Sequence, residues 1–409
     1  MYDLPKEWKW VKLGEVCTTT SGGTPSRREL KYYNGNIPWV KSGELDRGLI
    51  TNTEEKISEE AIKNSSAKIF PKGTLLIALY GATIGKLAFL GVDAATNQAI
   101  CGIYQNENIS SPFLYNYLFY KKRKLVGQGI GGAQPNISQT ILKDLDLPLP
   151  PKPTQLAIVS KIEELFSELD KGIENIRTAH QQLKTYRQAV LKCAFEGKLT
   201  NENVKEGVLP KHWKMVNIDD VATVGTGATP LKSRSDYYGG NIAWVTSGAL
   251  NDEYVRKATD FVTEKAVKET NLSVYPKHTL LVAMYGEGKT RGKCSELLIE
   301  ACTNQAIAAI YFDENQKVVM PYLKYFLLKN YSDVRKKSSG GVQPNLNLGI
   351  IKKLQFPLAR IQEQIKIVQE IESRLSIADK MEESITQSLQ QAEALRQSIL
   401  KKAFEGKLI

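Results

Sequence analysis

The feature that most constrains this chain is a heptad stretch that occurs twice. Ile162, Leu169, Ile176, Leu183 and Val190 recur every seven residues, with Leu165, Gly172, Ala179, Tyr186 and Cys193 three positions after each. Apolar residues at that spacing line one face of a helix, and that face needs a partner to cover it. The preceding PLPPKPT cannot be helical and sets the start near Thr154; FEGKL, which follows, puts Gly197 where a left-handed cap belongs. A helix of this length spans roughly 65 Å at 1.5 Å per residue. The second copy runs from Glu363 to Glu405. It carries Ile371, Ala378, Ile385, Ala392 and Ile399, with Leu375, Leu389 and Leu395 widening the stripe. It ends LKKAFEGKL where the first ends LKCAFEGKL. Neither helix can hide its stripe alone. Packing the two against each other, antiparallel, is more economical than giving each a local bundle of its own.

The repeat extends beyond the helices. LPKEWKWVKLGEV at 4–16 returns as LPKHWKMVNIDDV at 209–221, and YYNGNIPWVKSGEL at 32–45 as YYGGNIAWVTSGAL at 237–250. PKGTLLIALYG at 71–81 matches 276–286, TNQAI at 96–100 matches 303–307, and QPN at 134–136 matches 343–345. The short β-branched and aromatic runs NIPWV, TLLIALYG and NQAICGIYQ, bounded by Gly, Pro or Asn, read as strands. SEEAIKNSS reads as a short helix. SPFLYNYLFYKKRKL reads as another, with Ser111 as N-cap and Pro112 at its first position. The fold class is therefore α+β: two similar globular domains with curved β-sheet and short helices, joined by two long helices forming an antiparallel coiled coil. The expected boundaries are 1–150 and 201–360 for the domains, and 151–200 and 361–409 for the helices.

Charge bears on partners. The 55 basic and 44 acidic residues leave +11 at neutral pH, which favours a polyanion. Cys17, Cys101, Cys193, Cys294 and Cys302 form no CxxC pair and read as reduced cytoplasmic thiols. His180, His212 and His278 lack metal-ligand spacing. Residues 73–92 are apolar enough to suggest a membrane span. Lys86 interrupts them, and the second copy carries Glu287, Lys289, Arg291, Lys293 and Glu296, so the stretch reads as strand, loop, strand.

In this order, the duplicated LPKxWxxV openings, the TP turns at Thr24–Pro25 and Thr229–Pro230, the NIxWVxSGxL blocks, the TNQAI and QPN segments and the FEGKL helix ends resemble the specificity subunit of type I restriction–modification systems. The resemblance covers essentially the whole chain. It implies two target-recognition domains, each reading one part of a split, asymmetric double-stranded DNA site. It also implies docking to methyltransferase subunits, two in number, and through them to the restriction–translocase subunits. S-adenosylmethionine, ATP and magnesium would belong to those partners and no cofactor to this chain.

Three loop regions per half are candidates for DNA contact. The TP turns supply Thr24, Arg27, Arg28 and Lys31 in the first half and Thr229, Lys232 and Arg234 in the second; Lys41 and Thr246 stand in the NIxWV[KT]SGxL blocks. The loops after the PK[GH]TLL strand supply Tyr80, Thr83 and Lys86, against Tyr285, Lys289, Arg291 and Lys293. These loops change in length and charge while the strand before them barely does. Two domains that read different half-sites must differ where they touch bases, so these loops are the expected base readers. The third region is a basic helix end with a glycine-rich QPN: Lys121, Lys122, Arg123, Lys124, Gln134 and Asn136, against Arg335, Lys336, Lys337, Gln343 and Asn345. Such cations also satisfy a helix dipole. Asn97–Gln98 and Asn304–Gln305 read as sitting in apolar strands and are expected to be buried hydrogen-bonding residues.

Enzyme signals are weak. GQGIGG at 127–132 follows no βαβ strand, and GEGKT at 286–290 has Ala283 where a phosphate-binding loop needs glycine. No NPPY-type methylation motif and no Pro-Asp dipeptide occur. The expectation is a non-catalytic, cytoplasmic DNA-recognition subunit whose paired helices set the spacer. The alternatives are a stand-alone DNA-binding protein with two reading heads and a structural rod with protein-binding ends.

Overall fold

The computed structural model describes residues 3–127, 136–201, 203–205, 207–285, 290–312, 318–331 and 346–409. It forms two compact units: Met1–Arg177 together with Thr386–Ile409, and Thr178–Ile385.

In the first unit the strands are β1 (Lys9–Lys12), β2 (Thr19–Ser21), β3 (Ile37–Val40), β4 (Leu49–Ile50), β5 (Glu55–Ile57), β6 (Ile69–Phe70), β7 (Leu75–Ala78), β8 (Leu87–Leu90), β9 (Ala94–Thr96), β10 (Ile100–Ile103) and β11 (Asp146–Leu149). Among the described residues they make a five-stranded sheet in the order β2-β10-β7-β8-β4, a four-stranded sheet β5-β3-β9-β6 and the pair β1-β11. The apolar run at 73–92 is strand, loop, strand, as its interruption by Lys86 implies: β7 and β8 pair antiparallel, Leu75 opposite Phe89. Both sheets are mixed, since β4 runs parallel to β8 and β3 parallel to β9.

β7 is buried on both faces, and its alternation assigns them. Leu75, Ile77 and Leu79 pack with Phe113 and Tyr117 of helix Ser111–Gly127. Leu76 and Ala78 pack the other way, with Val40, Leu45 and Ile50. That helix already includes Ser111. Its start lies one residue earlier than the sequence suggests because the Ser110 carbonyl accepts from Leu114 N–H.

The second unit repeats this plan with β12 (Lys214–Asn217), β13 (Thr223–Thr226), β14 (Tyr238–Val245), β15 (Tyr254–Val255), β16 (Asp260–Val262), β17 (Leu280–Ala283), β18 (Cys294–Leu297), β19 (Cys302–Thr303), β20 (Ile307–Tyr311) and β21 (Gln355–Leu358). The sheet orders are β13-β20-β17-β18-β15, β16-β14-β19 and β12-β21. Leu280, Val282 and Met284 meet Tyr322 and Phe326, while Leu281 and Ala283 meet Val245 and Leu250.

The long helices are Lys152–Phe195 and Ile361–Phe404, each of 44 residues. Both begin two residues before the expected positions; in the first, Pro153 is tolerated in the first turn. Within the first unit, Arg396 pairs with Asp170 and lies 4.6 Å from the Phe166 ring centroid. Further along, Ile399, Leu400 and Phe404 share a core with Ile158, Val159 and Ile162. One numbering rises as the other falls, so the helices are antiparallel. Within the second unit Arg187 reaches Asp379 at 2.7 Å and Glu382 at 2.8 Å, and Val190 and Ala194 pack with Ile367 and Ile371. The seam is narrower than the heptads imply. Ala179, Tyr186 and Leu395 are exposed. In the last two cases the arginine one residue on faces the partner helix and turns its neighbour outward.

Both helices end alike. Gly197 and Gly406 have φ of 77° and 69°, and the residue after each donates to the carbonyl five positions back. A Cβ on Gly197 would stand 2.5 Å from Pro210, and one on Gly406 2.3 Å from Pro5. The FEGKL ends therefore cap the helices and also seat the LPKxW openings. A buried glutamine in each first turn ties the helix to its unit: Gln155 accepts from Ser110 N–H at 2.7 Å and Gln364 from Val319 N–H at 2.8 Å.

Candidate nucleic-acid interface

In each half the TP turn, the NIxW tryptophan and the turn after β9 or β19 come together. The TP turn is bonded to the turn that follows β9 or β19: Gly23 N–H donates to Thr96 O at 2.9 Å, and Ala228 N–H to Thr303 O at 3.0 Å. The contact requires glycine, because a Cβ on Gly22 or Gly227 would lie 2.3 Å or 1.6 Å from the carbonyl oxygen of Thr96 or Thr303. Trp39 and Trp244 hold the same turns by indole N–H bonds of 3.1 Å to Gly23 O and Ala228 O. The Tyr33 hydroxyl reaches Pro25 O at 2.7 Å, and that of Tyr238 reaches Pro230 O at 2.6 Å.

Here one expectation is corrected. Gln98 and Gln305 are exposed, not buried, and Asn97 and Asn304 are half-buried. The apolar strands flanking them belong to different sheets, so these residues occupy the turn where the chain crosses from one sheet to the other. Thr24 and Thr229 donate their hydroxyls to Oε1 of Gln98 and Gln305.

The basic residues of the TP regions divide by partner. Arg27 forks onto Glu55 at 2.6 and 3.2 Å and lies 4.2 Å from the Tyr33 ring centroid. Arg234 forks onto Asp236 at 2.8 Å and lies 4.4 Å from the Tyr237 ring centroid. The Arg27 hydrogen bond outweighs burial and, with Lys41, holds the Glu55 carboxyl below its ordinary value. Lys31 meets Glu60 at 2.5 Å, and Lys41 meets Glu54 at 2.7 Å and Glu55 at 3.1 Å. Thr246 bonds the Thr259 hydroxyl through its backbone N–H. Arg28 and Lys232 are exposed and have no carboxylate partner among the described residues.

The variable loops begin beside this turn. Tyr80 is half-buried, its hydroxyl in contact with the Gln98 amide, and Tyr285 is exposed. Gly81–Thr83 forms a single helical turn carrying Thr83. Lys86 anchors the loop base to Asp46, and Lys293 anchors its counterpart to Asn251 Oδ1 at 3.0 Å. Arg291 lies near the end of that second loop, and Lys289 falls outside the described residues. The basic helix end joins the same face, since a Cβ on Gly85 would meet the Lys122 stem at 3.0 Å. Lys121 lies 4.6 Å from the Tyr120 ring centroid, where burial, then Lys124, lowers its pKa. Arg123, Lys124 and Asn136 are exposed. Gln134, Arg335, Lys336, Lys337, Gln343 and Asn345 fall outside the described residues. Ile137 N–H and Leu346 N–H, just beyond the QPN segments, bond Leu79 O and Met284 O at 2.7 and 3.2 Å. Among the described residues, the first half thus brings its TP turn, the loop after β7 and the residue after its QPN segment to one end of β7, and the second half brings Leu346 to the matching end of β17.

Among the described residues no group of three or more His, Cys, Asp or Glu is arranged to hold a metal, and no helix is long and apolar enough to cross a membrane.

Two copies of one scaffold with unlike loops define a pair of non-identical binding heads. Residues 5–177 and 210–393 match the model of the type I restriction modification DNA specificity domain, and the chain belongs to that family. It is 25% identical to the EcoKI specificity subunit of Escherichia coli strain K12, over 99% of this chain and 90% of that one. It is 27% identical to the MjaIX specificity subunit of Methanocaldococcus jannaschii, over 69% and 67%. The HsdS subunit from Thermoanaerobacter tengcongensis superposes with a TM-score of 0.62 at 20% identity, covering 99% of this chain and 98% of that one. A chain from a structural study of assembly and conformational transition in the type I R-M system gives 0.74 at 19% identity, with full coverage of both. The chain is a non-catalytic specificity subunit with two target-recognition domains.

Proposed function

We propose that each recognition domain reads one half of a bipartite, asymmetric DNA site through the loops gathered at its β7 or β17 end. The observation that carries this reading is a matched scaffold with unmatched tips. The TP turn, the indole clamp and the sheet crossover are the same in both halves, while the loops at 81–86 and 286–293 differ in length and charge. Half-sites of different sequence require that combination. Arg28, Lys232 and the exposed Arg123 and Lys124 would meet phosphates, and the loops from Tyr80 and Tyr285 would meet base edges in the major groove. Lys289 and Arg335 to Lys337, which lie outside the described residues, are assigned the same role from their places in the repeat.

The long helices would set the separation of the half-sites and dock two methyltransferase subunits, through which the restriction subunits join. Within the second unit, Leu183, Tyr186, Ile377 and Met381 line a groove of about 780 Å³ between the helices. The exposure of Tyr186, Ile377 and Met381 there favours a protein partner. S-adenosylmethionine would be carried by the methyltransferase subunits, and ATP and magnesium by the restriction subunits, in the cytoplasm.

Methylome sequencing of cells with and without this gene tests the reading. The expected result is a split adenine-methylated motif that vanishes on deletion and returns on complementation. A complemented strain that expresses the methyltransferase partners yet gains no split motif would refute it.

A further inference from the structure

In both halves an exposed glutamine, Gln98 or Gln305, stands where the chain crosses between sheets. Each accepts a hydrogen bond on Oε1 from the threonine of the TP turn. That bond holds Oε1 against the turn, and the Nε2 amide carries two further donors; in the first half the Tyr80 hydroxyl also contacts the Gln98 amide. The turn beneath cannot shift, given the close approach of Gly22 to Thr96 and of Gly227 to Thr303. Exposed Arg28 and Lys232, without carboxylate partners among the described residues, stand in the same TP regions.

We propose that Gln98 and Gln305 are backbone clamps, each donating from Nε2 to a phosphate oxygen of the half-site its domain reads, whatever the base sequence. This rests on the DNA-reading assignment above. The two half-sites differ in their bases and share only the sugar–phosphate backbone. An identical residue, held by an identical partner on an identical turn, fits what the half-sites share. Bidentate recognition of adenine would need Oε1 to accept a second bond beside the threonine's, whereas a phosphate contact uses an Nε2 donor alone. Glutamine side chains are ordinary phosphate donors in protein–DNA interfaces.

The test uses the full chain assembled with its methyltransferase subunits. Gln98→Ala, Gln305→Ala and the double variant are titrated against the duplex selected by the unsubstituted complex and against random duplex, over a salt series. Unchanged thermal unfolding midpoints confirm the fold. Each single variant should bind both duplexes about tenfold more weakly, the loss expected for one hydrogen bond to a charged group. The selected consensus should not change. Glutamine carries no charge, so the slope of log affinity against log salt should also hold, whereas Arg28→Ala should reduce it by about one. Gln98→Glu, which keeps the size and repels phosphate, should lose more than Gln98→Ala. A base preference altered at one position of a half-site would overturn the proposal in favour of base reading. Unchanged affinity for both duplexes would overturn it as well. If the unsubstituted complex retains no DNA at low salt, the underlying DNA-reading assignment falls, a result distinct from either.

Discussion

Glu363 gathers more partners than its position suggests. His212 Nε2 lies 2.6 Å from one of its oxygens, and Trp213 Nε1 donates at 3.0 Å to the same one; Asn201 and Thr200 donate to the other at 3.0 and 3.1 Å. One carboxylate thus ties the segment after the first long helix to the first turn of the second. Burial alone would raise its pKa, but the bonds from His212, Asn201, Trp213 and Thr200 together hold it below the ordinary value. A depressed folded pKa means that the stabilisation is complete above about pH 4.3, the unfolded value, and is lost as pH falls through the folded one. Glu363→Ala leaves the buried Trp213 indole and the half-buried Asn201 and Thr200 without their acceptor and should cost about 1–3 kcal/mol, read by urea unfolding at pH 7. The deficit relative to the unsubstituted chain should shrink below pH 4. An equal deficit at pH 7 and pH 3.5 would show that the charge is not what matters.

Among the elements, corresponding strands and helices carry different solutions to the same contact. In the first half Phe89 of β8 stacks on Tyr115 at 5.4 Å. At the equivalent places in the second half stand Glu296 and Lys324, 3.2 Å apart, with Glu253 2.8 Å from the same ammonium. Lys324 is buried, and breaking such a pair from one side should be costly: Lys324→Ala should lose about 3–5 kcal/mol. Transplanting the aromatic pair, Lys324→Tyr with Glu296→Phe, should stay within about 1.5 kcal/mol of the starting protein, because a packed pair of similar volume replaces a desolvated ion pair. Thermal unfolding of the single and double variants checks both; a double variant worse than Lys324→Ala would contradict the equivalence. The same elements show what could be read beforehand. The heptads, the strand–loop–strand at 73–92 and the glycine caps follow from local periodicity and backbone chemistry. The outward turn of Tyr186 and Leu395 does not, because it depends on Arg187 and Arg396 finding carboxylates on the other helix. The exposure of Gln98 and Gln305 was hidden for a similar reason. Apolar flanks look alike whether they continue one strand or end two, and only sheet pairing separates those cases. Which cations of the TP regions are free was also illegible: Arg27 and Arg234 are matched by Glu55 and Asp236, pairings that emerge only when the chain folds.

At the scale of the whole molecule, the repeat supplies two heads and the shared helices connect them in sequence. If helix length sets the spacer, seven residues added to each long helix near its midpoint change the gap between half-sites and leave both half-sites as they were. Exchanging the loop 81–86 for its counterpart 286–293 should instead alter one half-site and leave the gap alone, as read by selection from random duplex. The most direct test of the central claim is the same selection on the heptad-extended chain assembled with its methyltransferase subunits. The account predicts a bipartite consensus with the original two halves and a changed number of base pairs between them. The original spacing recovered from a stable, extended protein, or a single uninterrupted consensus, would contradict it.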